Sequence, residues 1–143
     1  MTHDTATSSL KFASLFSAFI GLLMFASLLG GQPLMVLFLD LIHLPLDGTQ
    51  TFSSDSELVL GAISGGLLVG FGVMVHQVTV HVYADNPELG GRMVLRAIFA
   101  WFIVDSTGSV LAGAWFNVVL NGAFLALFVV PVLAARATKS ATA

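Results

Sequence analysis

Residues 58–83 read LVLGAISGGLLVGFGVMVHQVTVHVY, with no Lys, Arg, Asp or Glu anywhere in the stretch. A helix needs ~20 predominantly apolar residues to cross a bilayer, and this run exceeds that length. Its glycines are poor helix formers in water. In lipid, small residues at four-residue spacing let two helices approach closely. Stepping 100° per residue places Gly61, Gly65, Gly72, His76 and Thr79 within an arc of about 60°. Gly66, Gly70, Gln77 and His81 form a second arc of similar width, about 140° away. Two glycine faces predict a helix packed on both sides, central to its bundle or to an oligomer, with both histidines directed at protein.

Working outward, the same reasoning yields three more spans. One runs from about residue 10 to 29 and stops at Gly30-Gly31-Gln32-Pro33, a helix-ending cluster. Its apolar core is longer than that of a signal peptide and no small-x-small cleavage site follows, so a retained helix is expected. Residues 34–46 are apolar but too short to cross, and carry Asp40 and His43 before Pro45. They read as an interfacial or re-entrant helix, with Asp40 and His43 on its wet edge. A Ser- and Thr-rich loop follows.

After residue 83 the cluster Asp85-Asn86-Pro87-Glu88 marks a turn and a helix start. Spans over about 91–109 and 114–134 complete the set, with residues 136–143 expected to be a disordered tail. A turn at Asp105–Ser109 would leave the third span short. A turn near Gly108–Gly113 balances the lengths and keeps Asp105 inside the helix, and is preferred. The chain is therefore expected to be an all-α integral membrane four-helix bundle, a single domain over residues 1–143, with a short interfacial helix between the first two spans.

Composition agrees: 57% of residues are hydrophobic and 9% charged, against roughly 25% charged in soluble domains. Five Lys and Arg against eight Asp and Glu leave no basic patch, which argues against nucleic acid as a partner. The absence of cysteine removes disulfides and thiolate chemistry. Cytoplasmic flanks of membrane proteins are enriched in Lys and Arg. With the N-terminus inside, Lys11, Arg92, Arg96, Arg136 and Lys139 all fall on that side, while Asp40, Asp47, Asp55, Glu57 and Asp105 fall outside or toward it. Both termini are thus expected in the cytoplasm of a bacterial-type inner membrane.

Polar residues within the spans are the candidates for function. His76 lies ~27 Å along its helix from the outer end, and His81 lies at the inner interface. They suit a haem or chlorophyll-type pigment, a quinone or a proton relay. The competing reading is hydrogen bonding to a neighbouring helix. Their i, i+5 spacing disfavours a shared metal, and none is expected. Asn117 and Asn121 share a face one turn apart and could meet Asp105 across the hairpin. That grouping is either a polar clamp or an ion- or ligand-binding site. Tyr83 and Trp115 suit interfacial anchoring.

No catalytic or phosphate-cradling motif is present. In size and four-span layout the chain loosely resembles the DoxX-type four-helix membrane proteins, a likeness of architecture that implies no activity. The leading expectation is a non-enzymatic accessory or scaffold subunit in the bilayer, forming a homo-oligomer or joining a larger membrane complex through its glycine faces, with no particular cofactor implied. The alternatives are a small ion or solute carrier using Asp105, Asn117, Asn121 and His76, and a pigment- or quinone-binding subunit using His76 or His81.

Overall fold

The computed structural model describes residues 1–30 and 32–141. Among these there are five α-helices and no strand. Helix α1 spans His3–Ala26 and runs on as a 3-10 turn, Ser27–Leu29. The short α2 covers Gln32–His43, and α3 covers Asp55–Val78 followed by a π-helical turn, Thr79–Tyr83. Helices α4, Pro87–Leu111, and α5, Phe116–Ala141, complete the chain. All but α2 are long and apolar enough to cross a membrane, so the chain is a multi-pass four-helix bundle. The start of α1 and the end of α5 lie at one end, here called proximal, where the Met1 ammonium donates to Thr138 Oγ1 at 2.9 Å.

The first three spans begin earlier than hydropathy predicts, because polar caps carry the helices beyond their apolar cores. Thr2 accepts the Thr5 N–H and starts α1 at His3 rather than near residue 10. Ser54 and Glu57 form a reciprocal capping box that starts α3 at Asp55, satisfying two of the N–H groups a helix start leaves unpaired. Asn86 caps α4, with Pro87 in the first turn, where its missing N–H costs nothing. The last span also runs further than expected. Residues 136–141, read from sequence as tail, continue α5 to Ala141, and the alanines among them are strong helix formers. Residues 142 and 143 of that predicted tail lie outside the described residues. The short outer helix occupies Gln32–His43 rather than 34–46.

The α4–α5 hairpin turns at residues 112–114, so Asp105 lies inside α4. Gly113 has φ +81°, and its N–H bonds to the Val110 carbonyl while the Ala114 N–H reaches Ser109. This Schellman closure needs the left-handed conformation that glycine adopts without steric penalty.

Helix α1 sits at the centre of the chain, packed against α3 on one side and α5 on the other. Sequence patterning assigned that place to α3. Contact between α1 and α3 is backbone-close: a Cβ on Gly21 would lie 2.5 Å from the Gly65 carbonyl oxygen, and one on Gly72 would lie 2.5 Å from that of Ser14. Ser14, Ser17 and Thr79 are fully buried, yet each hydroxyl donates to a carbonyl of its own helix, at Lys11, Ala13 and Val75. Such back-bonding lets hydroxyls sit among apolar helices without an unsatisfied donor.

Helices α4 and α5 pair along the hairpin, and α4 meets α3 mainly through the π-helical turn at the proximal end. There Gly90 admits Tyr83, whose Cα would lie 2.5 Å from a Cβ on that glycine. Tyr83 is consequently buried, 1% exposed, instead of anchoring at the interface. The core runs from Ala6 and Leu10 of α1 to Ile98, Phe128 and Val132. Phe71, Phe124, Phe128 and Trp101 form a chain of edge-on and tilted ring contacts across it, a favoured aromatic geometry.

Candidate functional site

The two glycine arcs of α3 have separate fates. Gly61, Gly65 and Gly72 are buried, the first beneath the Phe52 ring and the other two against the α1 backbone. Gly66 and Gly70 face away from the bundle: among the described residues no atom of another element comes within 4 Å of where a Cβ would stand. Val59, Ile63, Val73 and Met74 flank them, all more than half exposed. Gln77 and His81 continue the same face and are exposed as well. Of the two places expected for a helix packed on both sides, the bundle and an oligomer, the first does not hold: within the single chain the second arc is open and His81 is exposed. One helix face remains open, carrying a glycine notch and a side-chain amide.

His76 does point at protein. Its Nδ1 lies 3.2 Å from Ser14 Oγ, and the Ser14 hydroxyl proton is committed to the Lys11 carbonyl at 2.8 Å. With that proton so placed, the contact is one in which the His76 Nδ1–H donates to the Ser14 oxygen. This contact ties α3 to α1. It brings His76 to neither His81 nor Asp105.

The grouping of Asp105, Asn117 and Asn121 forms as the sequence spacing predicts. Asp105 Oδ1 accepts from Asn121 Nδ2 at 2.6 Å, Asn117 Nδ2 at 3.1 Å and Ser109 Oγ at 3.3 Å. Asn121 also donates to Ser106 Oγ at 3.2 Å, and Asn117 to Ser109 Oγ at 2.8 Å. Ser106 and Ser109 supply the hydroxyls of the cluster. Asn121 is 6% exposed and Asp105 is half-buried. Asp105 shares the inward face of α4 with Val94 and Ile98. All three donors converge on one carboxylate oxygen. Among the described residues none reaches Oδ2.

Asp105 lies about 9 Å along α4 from the helix end at Leu111. An open groove of 330 Å³, lined by Ser106, Thr107, Val110, Leu111 and Val118, runs along the flank of α4 beside it.

The distal loops carry further acids, each held locally. Asp40 is buried and accepts the Gly48 N–H at 3.0 Å, closing the loop after α2. It does not face His43, whose Nδ1 bonds the Leu39 carbonyl. Asp47 takes the Thr49 hydroxyl at 2.6 Å and the Thr49 N–H at 3.1 Å. Those bonds hold its carboxyl below the ordinary aspartate range.

At the proximal end lies a cluster that sequence patterning did not bring together. The His3 ring packs on Tyr83 with centroids 5.2 Å apart, and its Nε2 bonds the Ala84 carbonyl at 2.9 Å. Arg136 reaches the same place over Gly91, and its Nη2 is buried without a partner, as is His3 Nδ1. The His3–Tyr83 contact spans most of the chain's length, too far for periodicity to signal.

Among the described residues no three His, Asp or Glu side chains converge to hold a metal. No family model, no curated protein and no solved structure matches the chain, so the functional reading rests on this geometry alone.

Proposed function

We propose that the chain is a non-enzymatic inner-membrane subunit that assembles with other helices through the outward face of α3. The open notch at Gly66 and Gly70 is the observation that carries this reading. Glycine costs helix stability, and within this chain nothing packs into the two gaps. A neighbouring helix that entered them would gain the close backbone contact that substitutes for the hydrophobic effect in lipid. The exposed Gln77 amide strengthens the case, because hydrocarbon offers it no partner. A primary amide both donates and accepts, so two copies related by a twofold axis satisfy each other. That symmetry favours a second copy of the chain as the first partner.

Gathering Lys11, Arg92, Arg96 and Arg136 toward the proximal end supports a cytoplasmic location for both termini. The reading makes the chain a scaffold or accessory component, with no reaction of its own.

The test is the double variant Gly66→Leu/Gly70→Leu, compared with the parent by analytical ultracentrifugation in detergent. Because both positions open onto empty space, the fold should be retained. Association should weaken at least tenfold, equivalent to about 1.4 kcal/mol. Unchanged association in a folded variant would remove the reading.

A further inference from the structure

The proximal junction, where the π-helical turn meets α4 and α5, lies apart from the α3 face and from the hairpin cluster. Two neighbouring glycines of α4 seat Tyr83 there. Gly90 takes the root of the residue, whose Cα and N would lie 2.5 and 2.6 Å from a Cβ at that position. Gly91 takes the outer part of the ring, with Cε2 3.5 Å from where its own Cβ would stand. Cε2 is bonded to the carbon that carries the hydroxyl, so the polar end of Tyr83 borders the space over Gly91. The His3 ring packs on the same side chain, centroids 5.2 Å apart. Tyr83 is thereby 1% exposed, yet among the described residues no hydrogen bond reaches its hydroxyl. Buried hydroxyls ordinarily have a partner.

Arg136 of α5 enters that same space, its Nη2 3.1 Å from the point a Cβ on Gly91 would occupy. Nη2 is buried and unpartnered, and among the described residues no hydrogen bond or ion pair reaches the other guanidinium nitrogens. The side chain as a whole is half-buried, with its inner edge against Gly91 and its outer edge open. The carboxylates of this end leave the charge unanswered. Glu88 pairs with Arg92, and among the described residues neither Asp4 nor Asp85 bonds to Arg136. A guanidinium stays protonated at any physiological pH, and half-burying one without a counter-ion is costly.

Depth in the membrane names the counter-ion. Arg136 lies two residues, about 3 Å, inside the end of its span at Thr138. His3 and Tyr83 are themselves the proximal ends of the first two spans, and Gly91 lies in the first turns of the third. Lipid phosphates sit at that level, and basic pockets between helices there hold anionic headgroups. A guanidinium meets phosphate oxygens with two parallel N–H bonds, and a phenol O–H adds a third donor.

We infer that Arg136 and Tyr83 form a binding site for a phosphate-bearing anion, filled from the proximal leaflet by the headgroup of an anionic phospholipid. Arg136 supplies the charge and Tyr83 the further donor. Gly91 keeps the space between them clear of a side chain, and His3 holds the tyrosine ring in place.

The experiment titrates the purified full-length chain in non-ionic detergent with dioctanoyl phosphatidylglycerol, dioctanoyl phosphatidylcholine or inorganic phosphate. Native mass spectrometry reads bound ligand and thermal unfolding reads stability. Phosphatidylglycerol should be retained at about one molecule per chain and raise the unfolding temperature. Phosphatidylcholine, with the same acyl chains and its phosphate charge cancelled by choline, should bind at least tenfold more weakly. Arg136→Gln should lose at least tenfold in phosphatidylglycerol binding. In detergent alone it should be no less stable than the parent, since it removes no side-chain hydrogen bond. Tyr83→Phe, which keeps the ring, should weaken binding severalfold. Arg92→Gln removes the same charge from an exposed position at the same end and should bind as the parent does. Undiminished binding in folded Arg136→Gln, equal losses in the two arginine variants, or equal binding of the two lipids would overturn the site. If inorganic phosphate binds as tightly as phosphatidylglycerol, the lipid is overturned as the source of the anion and free phosphate takes its place.

Discussion

Gly72→Leu is expected to separate α1 from α3 and to cost about 3 kcal/mol or more of stability. The reason is positional: a Cβ at residue 72 would stand 2.5 Å from the Ser14 carbonyl oxygen and 2.6 Å from the Ala18 nitrogen. Both atoms are backbone, so no rotamer change relieves the overlap and one helix must move. That movement would also break the Ser14–His76 contact and open the Gly21–Gly65 crossing, which tolerates no more space than it has. Gly70→Leu, two residues earlier on the open face, should leave the fold intact. Chemical unfolding of the two purified variants in the same detergent measures the contrast. Similar stabilities would mean that the α1–α3 interface is not the tight crossing described.

Asn121→Leu is expected to be the most damaging substitution in the hairpin, at about 2 kcal/mol. Asn121 makes the shortest bond to Asp105 and, among the described residues, the only side-chain bond to Ser106, and it is nearly buried. A leucine there would take from Ser106 its amide donor and leave Asp105 with only its two longer bonds. Asn117→Leu should cost clearly less, because its bond to Asp105 is longer and Ser109 still donates to the same oxygen. Unfolding measurements rank the two. If Asn117 proves the more costly, the carboxylate is not held as the geometry indicates. Hydrogen bonds within membranes average less than a charge-assisted bond in water. The predicted order is therefore a stronger test than the size of either loss.

The four spans and their even number were legible because hydropathy reports directly on the solvent each segment requires. The starts of α1 and α3 were not, since Thr2 and Ser54 cap through side-chain oxygens that hydropathy scores as loop, whereas Asn86 and Pro87 did mark the start of α4. Asp105, Asn117 and Asn121 could be grouped from sequence, because one-turn spacing fixes a face and a glycine-closed hairpin fixes which faces meet.

Which glycine arc of α3 packs inward could not be read. Both arcs carry small residues, and only the partners' positions, Ser14, Ala18 and Gly21 on α1, distinguish them. Tyr83 misled for a related reason. An aromatic at a helix end ordinarily anchors at the interface, but Gly90, seven residues later, makes the gap that encloses it. His3 and Arg136 come from opposite ends of the chain, and only the finished fold joins them.

That the outward face of α3 is an assembly surface is tested most directly by disulfide cross-linking in native membranes. The chain has no cysteine, so each introduced thiol reports alone. Single cysteines at Gly66, Gly70 and Gln77 should give a disulfide-linked dimer on mild oxidation. Cysteines at Ile103 and Val104, exposed on α4, should give little or none. Efficient dimer formation confined to the α3 positions is the predicted result. Cross-linking that is absent at all five sites, or equal among them, would contradict assembly of the chain with itself through that face.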